Sequence, residues 1–162
     1  MKQGTLILLC GLPGAGKSTL AKKLASKMPA TVMSPDKEMY GRNIDLYDEK
    51  ARAKVEAEQW QRAKELLKKG DTVILENGFW GRSERDELRL EARALGARVE
   101  LHYLNVSFEE LWRRVEVRNS NGEASDAPMT KAMLEKAATQ IQPPDNAELQ
   151  LFDKPVKWPQ IF

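Results

Sequence analysis

Eight residues near the start of the chain, Gly11-Leu12-Pro13-Gly14-Ala15-Gly16-Lys17-Ser18, limit what it can fold into more than any other feature. Four residues separate the outer glycines and Lys-Ser follows, the spacing of a phosphate-cradling P-loop. The context agrees with the spacing. Leu6, Ile7, Leu8 and Leu9 run without alternation through Thr5 to Cys10, as in a central parallel strand covered on both faces. Leu20, Ala21, Leu24, Ala25 and Met28 then mark an amphipathic helix. A strand entering and a helix leaving turn backbone N–H groups and a helix N-terminus toward an anion. Gly11, Gly14 and Gly16 let the backbone wrap a phosphate closely, with Pro13, Ala15 and Thr19 completing the loop and its exit. Lys17 then reaches β and γ phosphates, and the Ser18 hydroxyl is placed for Mg²⁺. The competing reading, a glycine-rich turn with an incidental lysine, explains neither flank.

The rest of the chain alternates strand-like runs with helix-period segments, the pattern of an α/β protein. Ala30 to Met33 reads as a second strand ending at Ser34, Pro35 and Asp36. Asp48 to Lys69 reads as a charged helix with Ala53, Ala57, Trp60, Ala63 and Leu67 on one face and Gly70 as its stop. Thr72 to Leu75 is a buried strand. Ser83 with Asp86 opens a helix that Gly96 closes, and Val99 to Leu104 is the fourth strand. Ser107 with Glu110 makes a capping box for a helix running to about Arg118. Asn119 to Pro128 is expected to be a mobile loop, Thr130 to Gln140 a helix, and Leu149 to Phe152 a last strand. The expected architecture is a three-layer α/β P-loop fold with a mainly parallel sheet of about five strands. Residues 1–153 form one domain with a lid near 113–128, and residues 154–162 form a tail.

A chain of 162 residues suits one core. No stretch approaches the roughly 18 consecutive apolar residues of a membrane span, so no membrane partner is expected. The apolar start lacks the basic leader of a signal peptide, and the single Cys10 cannot form an internal disulfide. Both features point to a cytoplasmic location. Net charge is +2, from 26 basic and 24 acidic residues without a long block of one sign, so no footprint for nucleic acid stands out. Nucleic acid remains an allowed partner but not a favoured one.

A P-loop fixes nucleotide binding and leaves the reaction open. The chain has neither an Asn-Lys-x-Asp guanine-reading motif nor an Asp-x-x-Gly switch, which argues against a GTPase, and it lacks the second glycine-rich signature of transporter ATPases. The first strand and its loop, Ser34-Pro35-Asp36, Leu75-Glu76-Asn77-Gly78-Phe79-Trp80, and Arg113, Arg114 and Arg118 before a polar loop together resemble the small P-loop kinases. That group, of AAA-type kinases, includes polynucleotide 5′-hydroxyl kinases, chloramphenicol phosphotransferase and zeta toxins. The resemblance spans roughly residues 5 to 152. Only the P-loop is highly specific; the other elements persuade by their order.

The resemblance implies transfer of the γ-phosphate of ATP, with Mg²⁺, to a hydroxyl-bearing acceptor that the sequence does not name. In it Asp36 is the general base at the end of the strand beside the P-loop, on the face where α/β sheets bind ligands. The competing role for Asp36 is capping a turn after Pro35. Arg114 and Arg118 share a helix face and belong to a lid over the nucleotide, with Arg118 the cation that stabilises the transferring phosphoryl group. Glu76 orients Mg²⁺ or contacts substrate. Pro143, in Gln142-Pro143-Pro144, borders the adenine. Phe79 and Trp80 read equally as an acceptor wall or as a hydrophobic plug.

One departure bears on the acceptor. Polynucleotide kinases of this type carry an arginine three positions beyond the base, where this chain has Met39; Arg42 is the nearby substitute. Two rivals follow: a 5′-hydroxyl polynucleotide kinase, and a regulatory protein that binds ATP and hydrolyses it slowly. His102 and Cys10 read as structural residues.

Overall fold

The computed structural model describes residues 2–122 and 128–155. Its sheet is parallel throughout, built from β1 (Thr5–Cys10), β2 (Thr31–Met33), β3 (Thr72–Gly78) and β4 (Arg98–Tyr103) in the order β2-β3-β1-β4. Parallel neighbours need crossovers, and helices supply them: α1 (Lys17–Lys27), α2 (Pro35–Gly41), α3 (Glu49–Lys68) and α4 (Arg82–Ala94), with α5 (Phe108–Asn121) leaving the last strand. Two further helices follow, α6 (Lys131–Gln140) and α7 (Asn146–Leu149).

The unbroken apolar run of β1 serves both faces of the sheet. Leu6, Leu8 and Cys10 pack with Val73, Leu75, Val99 and Leu101 under α3 and α4, through Ala63, Leu67, Leu88 and Ala92. Ile7 and Leu9 point the other way, with Ile74, onto Ala21 and Leu24 of α1. Strand side chains alternate between faces, so helix on sheet on helix follows directly, the three layers that the sequence implies. Ala15, Leu111, Val115 and Leu134 form a third cluster that anchors α5 and α6 beneath the glycine-rich loop.

Several expectations need correction. The described residues hold four strands rather than about five. Leu149 to Phe152 does not become a strand, because Asp145 caps α7 by accepting from the Glu148 amide at 2.8 Å, and Glu148 is then buried against Arg85. Asp153 alone meets the sheet edge, donating its N–H to Val99 O and accepting from Val99 N, both at 2.8 Å. The strand ending at Ser34 leads into a helix that the sequence reading passed over. Ser34 caps α2 and Pro35 occupies its first turn, where a proline lacks nothing a helix needs. The buried face of α3 is Val55, Gln59, Ala63 and Leu67, with Ala53 and Ala57 exposed. Gln59 takes a core position because its amide donates to Ser34 O and to Glu38 Oε1.

Asn119 and Asn121 belong to the last turns of α5 rather than to a loop. Asn119 also holds the returning chain, donating to Met129 O at 2.8 Å and accepting from Met129 N at 3.2 Å. The middle of the expected lid, 123–127, and most of the expected tail, 156–162, lie outside the described residues.

Candidate functional site

At the C-terminal edge of the sheet the loop Gly11–Gly16 turns from β1 into α1. Gly14 has φ 85°, and a Cβ there would stand 3.0 Å from Leu111 O. Gly16, at φ 103°, caps α1 without a side chain. Both conformations favour glycine, and together they leave the first N–H groups of α1 without side-chain partners at the mouth of a cleft. Burial of Lys17, opposed by Asp36 and other nearby anionic groups, lowers its pKa to about 8. Its ammonium donates to Gly11 O at 2.9 Å and Leu12 O at 3.0 Å, folded onto the loop that it would leave to meet phosphate.

The cleft has a volume of about 1180 Å³. Pro13, Gly14, Gly16, Lys17, Ser18 and Thr19 line one end of it. Gly11 and Ala15 lie beneath this lining: Gly11 O also accepts from Trp80 Nε1 at 3.1 Å, and Ala15 belongs to the α5–α6 cluster. Arg114, also in the cleft lining, holds the loop by donating to Gly14 O at 3.2 Å and Ala15 O at 3.3 Å, and Glu110 holds the same guanidinium at 2.9 Å. Arg118, one turn on, lines the cleft and lies within electrostatic reach of Lys17.

The Ser18 hydroxyl donates to Glu76 Oε1 at 2.7 Å. Glu76 is only 8% exposed, and its Oε2 has no hydrogen-bond partner among the described residues. An orphaned carboxylate oxygen beside a hydroxyl at a phosphate cradle fits a hard divalent cation completed by phosphate and water oxygens. Among the described residues no group of three His, Cys, Asp or Glu side chains could hold a metal unaided. The register explains how Glu76 gets there. Between Leu8↔Leu75 and Cys10↔Gly78, β3 has one residue more than β1, a bulge at the end of the strand.

Asp36 enters from the first turn of α2 and is half exposed. It also lines the cleft. Its position differs from the expected one, since β2 is not beside the P-loop strand: β3 lies between them. Arg52 of α3 clamps Asp36 Oδ1 at 2.6 Å and donates to Leu46 O at 2.8 Å.

The sequence reading missed Arg52, along with Glu56 one turn further on α3 and Glu84 in the first turn of α4, all of which line the cleft. The i, i+4 spacing of Arg52 and Glu56 was visible, but nothing in the pattern says which polar face of a charged helix turns toward a site. Two residues expected at the site from the resemblance lie elsewhere. Pro143 is exposed and is not part of the cleft wall, because Gln142 fastens its segment elsewhere, donating to Trp80 O at 2.8 Å and accepting from Arg82 N at 2.7 Å. Arg42 does not replace the arginine absent at Met39: it pairs with Glu38 and Glu58, and Met39 is core.

Phe79 and Trp80 face different surroundings, although both touch the cleft. Phe79, 1% exposed and at a positive φ of 48°, turns into the core. Trp80 is half-buried at the wall of the cleft. Arg85, fully buried, braces this turn by donating to Phe79 O, Trp80 O and Gln142 O while pairing with Glu148 at 2.6 Å. His102 is occupied by Glu100 Oε1 at 3.0 Å. Burial pushes the Cys10 thiol up to about 11, so it stays an inert core group.

A parallel sheet with this loop and these converging groups defines a nucleotide-binding P-loop domain. The chain belongs to the family described as AAA domain, whose model matches residues 6–144, and its fold is that of the small P-loop kinases. No curated protein matches it. Among solved structures it is similar to one of the Pnkp1/Rnl/Hen1 RNA repair complex, with TM-score 0.73 and 21% identity over 94% of this chain and 47% of that one. The chain thus spans about half the length of that relative. It is also similar to the Mycobacterium tuberculosis APS kinase CysC bound to AMPPNP and APS, with TM-score 0.66 and 21% identity over 90% of this chain and 86% of that one. Chaetomium thermophilum Kti12 with ADP-AlF3 aligns with TM-score 0.64 and 21% identity over 88% of this chain and 82% of that one. At such identities the likeness is one of fold. No helix among the described residues is long and apolar enough to cross a membrane.

Proposed function

We propose that the protein is an ATP-dependent phosphotransferase that moves the γ-phosphate of MgATP to a hydroxyl of a separate acceptor. The observation that carries this reading is the meeting of Lys17, Arg118, the Ser18–Glu76 pair and Asp36 in one cleft. Lys17, buried and short of its usual proton affinity, gains a strong partner when phosphate oxygens replace the Gly11 and Leu12 carbonyls. Ser18 and Glu76 would hold the Mg²⁺, which supplies charge neutralisation between the β and γ phosphates. Asp36, fixed through Oδ1 by Arg52, would accept the acceptor's hydroxyl proton as its oxygen attacks the γ-phosphorus. The P–O bond to the β-phosphate breaks and leaves ADP. Arg114 stiffens the loop and Arg118 faces the phosphoryl charge.

The test is incubation with γ-labelled ATP, Mg²⁺ and a panel of hydroxyl compounds that includes oligonucleotides, nucleosides, nucleotide sugars and antibiotics. Label should reach an acceptor, and Asp36→Asn should cut that transfer by on the order of a thousandfold while ATP affinity stays within about twofold. An Asp36→Asn protein that transfers nearly as well as the parent would remove Asp36 as base. Label found only in free phosphate would favour a nucleotide-hydrolysing regulator.

A further inference from the structure

Beyond the phosphate end, the cleft is walled by charged groups from three separate elements. Asp36 comes from α2, Arg52 and Glu56 from α3, and Glu84 from α4. Glu56 lies within electrostatic reach of Glu84, Arg52 and Asp36. Lys37 and Glu49, also part of the lining, are exposed at the rim and offset one another. Arg118 borders this wall, within electrostatic reach of Lys17 and Tyr47; beyond it three carboxylates face Arg52, whose guanidinium is already committed to Asp36 and Leu46 O.

Glu56 and Glu84 have neither a hydrogen bond nor an ion pair among the described residues. Burial pushes both carboxyl groups above their ordinary range: Glu56 to about 7, with Glu84 adding to the shift, and Glu84 upward against the opposing pull of Arg85. Glu76 is committed to the Ser18 end, but Asn77 Oδ1, next to it in the cleft lining, is a further buried acceptor without a partner among the described residues. Overhead, the Tyr47 hydroxyl donates to the Pro128 carbonyl, tying the α2–α3 loop to the chain that leads into α6. Tyr47 and Met129 both line the cleft, so this bond lies at its edge and narrows the way in.

We propose that the acceptor end of the cleft takes a small hydroxyl compound bearing an amine, an amino alcohol or amino sugar, and turns away phosphorylated acceptors. The inference rests on the phosphotransferase reading above. An ammonium between Glu56 and Glu84 supplies donors to both and removes their mutual repulsion, which strengthens as water is excluded. A phosphorylated acceptor would bring more negative charge to a wall where Arg52 is already paired with Asp36 and Arg118 is given to the nucleotide's phosphates. A nucleic-acid end would meet the same repulsion.

The experiment uses matched sets: glycerol, serinol and glycerol 3-phosphate, then glucose, glucosamine and glucose 6-phosphate, each with the full chain and Mg²⁺. Affinity is read with AMPPNP bound, and label transfer with γ-labelled ATP. The amino member of at least one set should bind about tenfold tighter than its neutral partner, the phosphorylated members should bind worst, and Glu56→Gln with Glu84→Gln should erase the preference. Glu84→Gln alone, with a smaller reduction of the same preference, stands in if the double variant does not fold. Equal or tighter binding of the neutral or phosphorylated members, a preference that survives the substitutions, or no binding by any member overturns the inference. Label on a neutral or phosphorylated acceptor defeats this inference alone; label only in free phosphate defeats the phosphotransferase reading as well.

Discussion

The two ends of the cleft are made in different ways. The phosphate end is nearly one continuous stretch, Pro13 to Thr19, whose work is done largely by backbone conformation and by Lys17 and Ser18 at fixed spacing. The other end takes Asp36, Arg52, Glu56, Trp80 and Glu84 from four places along the chain. A site that binds through its backbone must keep its glycines and its length. A site assembled from side chains on separate helices can change one residue at a time while the scaffold stands. On this view the first end fixes the donor and the second chooses the acceptor.

The sharpest way to separate the ends is to damage each alone. Lys17→Met removes the cation that faces the phosphates and should weaken ATP binding by roughly a hundredfold or more, the worth of about two charge-assisted hydrogen bonds. Asp36→Asn should leave that affinity nearly untouched, and calorimetric titration with AMPPNP compares the two directly. If both substitutions weakened the nucleotide equally, the cleft would not divide as described.

Arg85 tests whether the acceptor wall is held from below. It binds three carbonyls around Phe79, Trp80 and Gln142 and pairs with Glu148 while 1% exposed. Arg85→Met leaves buried Glu148 with only the longer 3.7 Å contact to Arg82 and should lower unfolding stability by about 3 kcal/mol in urea. Adding Glu148→Leu should recover part of the loss; no recovery would mean that the carbonyl contacts, rather than the ion pair, hold the turn.

Two pH effects bear on the ends separately. Burial, then Glu84, raises Glu56 from 4.5 to about 7, so its charged form opposes folding. The penalty is absent below the unfolded value, grows as pH rises between the two values and is complete above the folded one. Glu56→Gln should therefore stabilise the protein by about 1–2 kcal/mol at a pH of about 8, the shift being discounted for partial exposure, and by almost nothing at about 4, read from denaturation at both. At the phosphate end, Lys17 in the empty cleft gives up its proton as pH rises through about 8, because burial disfavours its charge. ATP must then restore that proton, so affinity should fall by about tenfold per pH unit above 8, with proton uptake visible in buffers of different ionisation heat. Affinity unchanged at high pH would mean that Lys17 stays charged without phosphate.

The sequence by itself determined the phosphate end and the layering of the sheet. Gly11 to Ser18 specify a backbone that few other residues could follow, and an unbroken apolar β1 has to be covered on both sides. Ser107 likewise announced its helix, since a cap is a local bond between neighbours in the chain, whereas Ser83 does not open α4, which starts at Arg82 behind Gly81 without a side-chain cap. Strand order was not local, and only the tertiary structure put β3 between β2 and the P-loop strand, moving Asp36 one strand away from where it was expected. Nor did local pattern foretell that Leu149 to Phe152 would give up a strand for the Arg85–Glu148 pair, or that Pro143 would stay outside the cleft. The acceptor wall was the least legible part of all. Arg52, Glu56 and Glu84 look like ordinary charges on helix surfaces until the helices pack, because where a side chain faces depends on what its helix is pressed against.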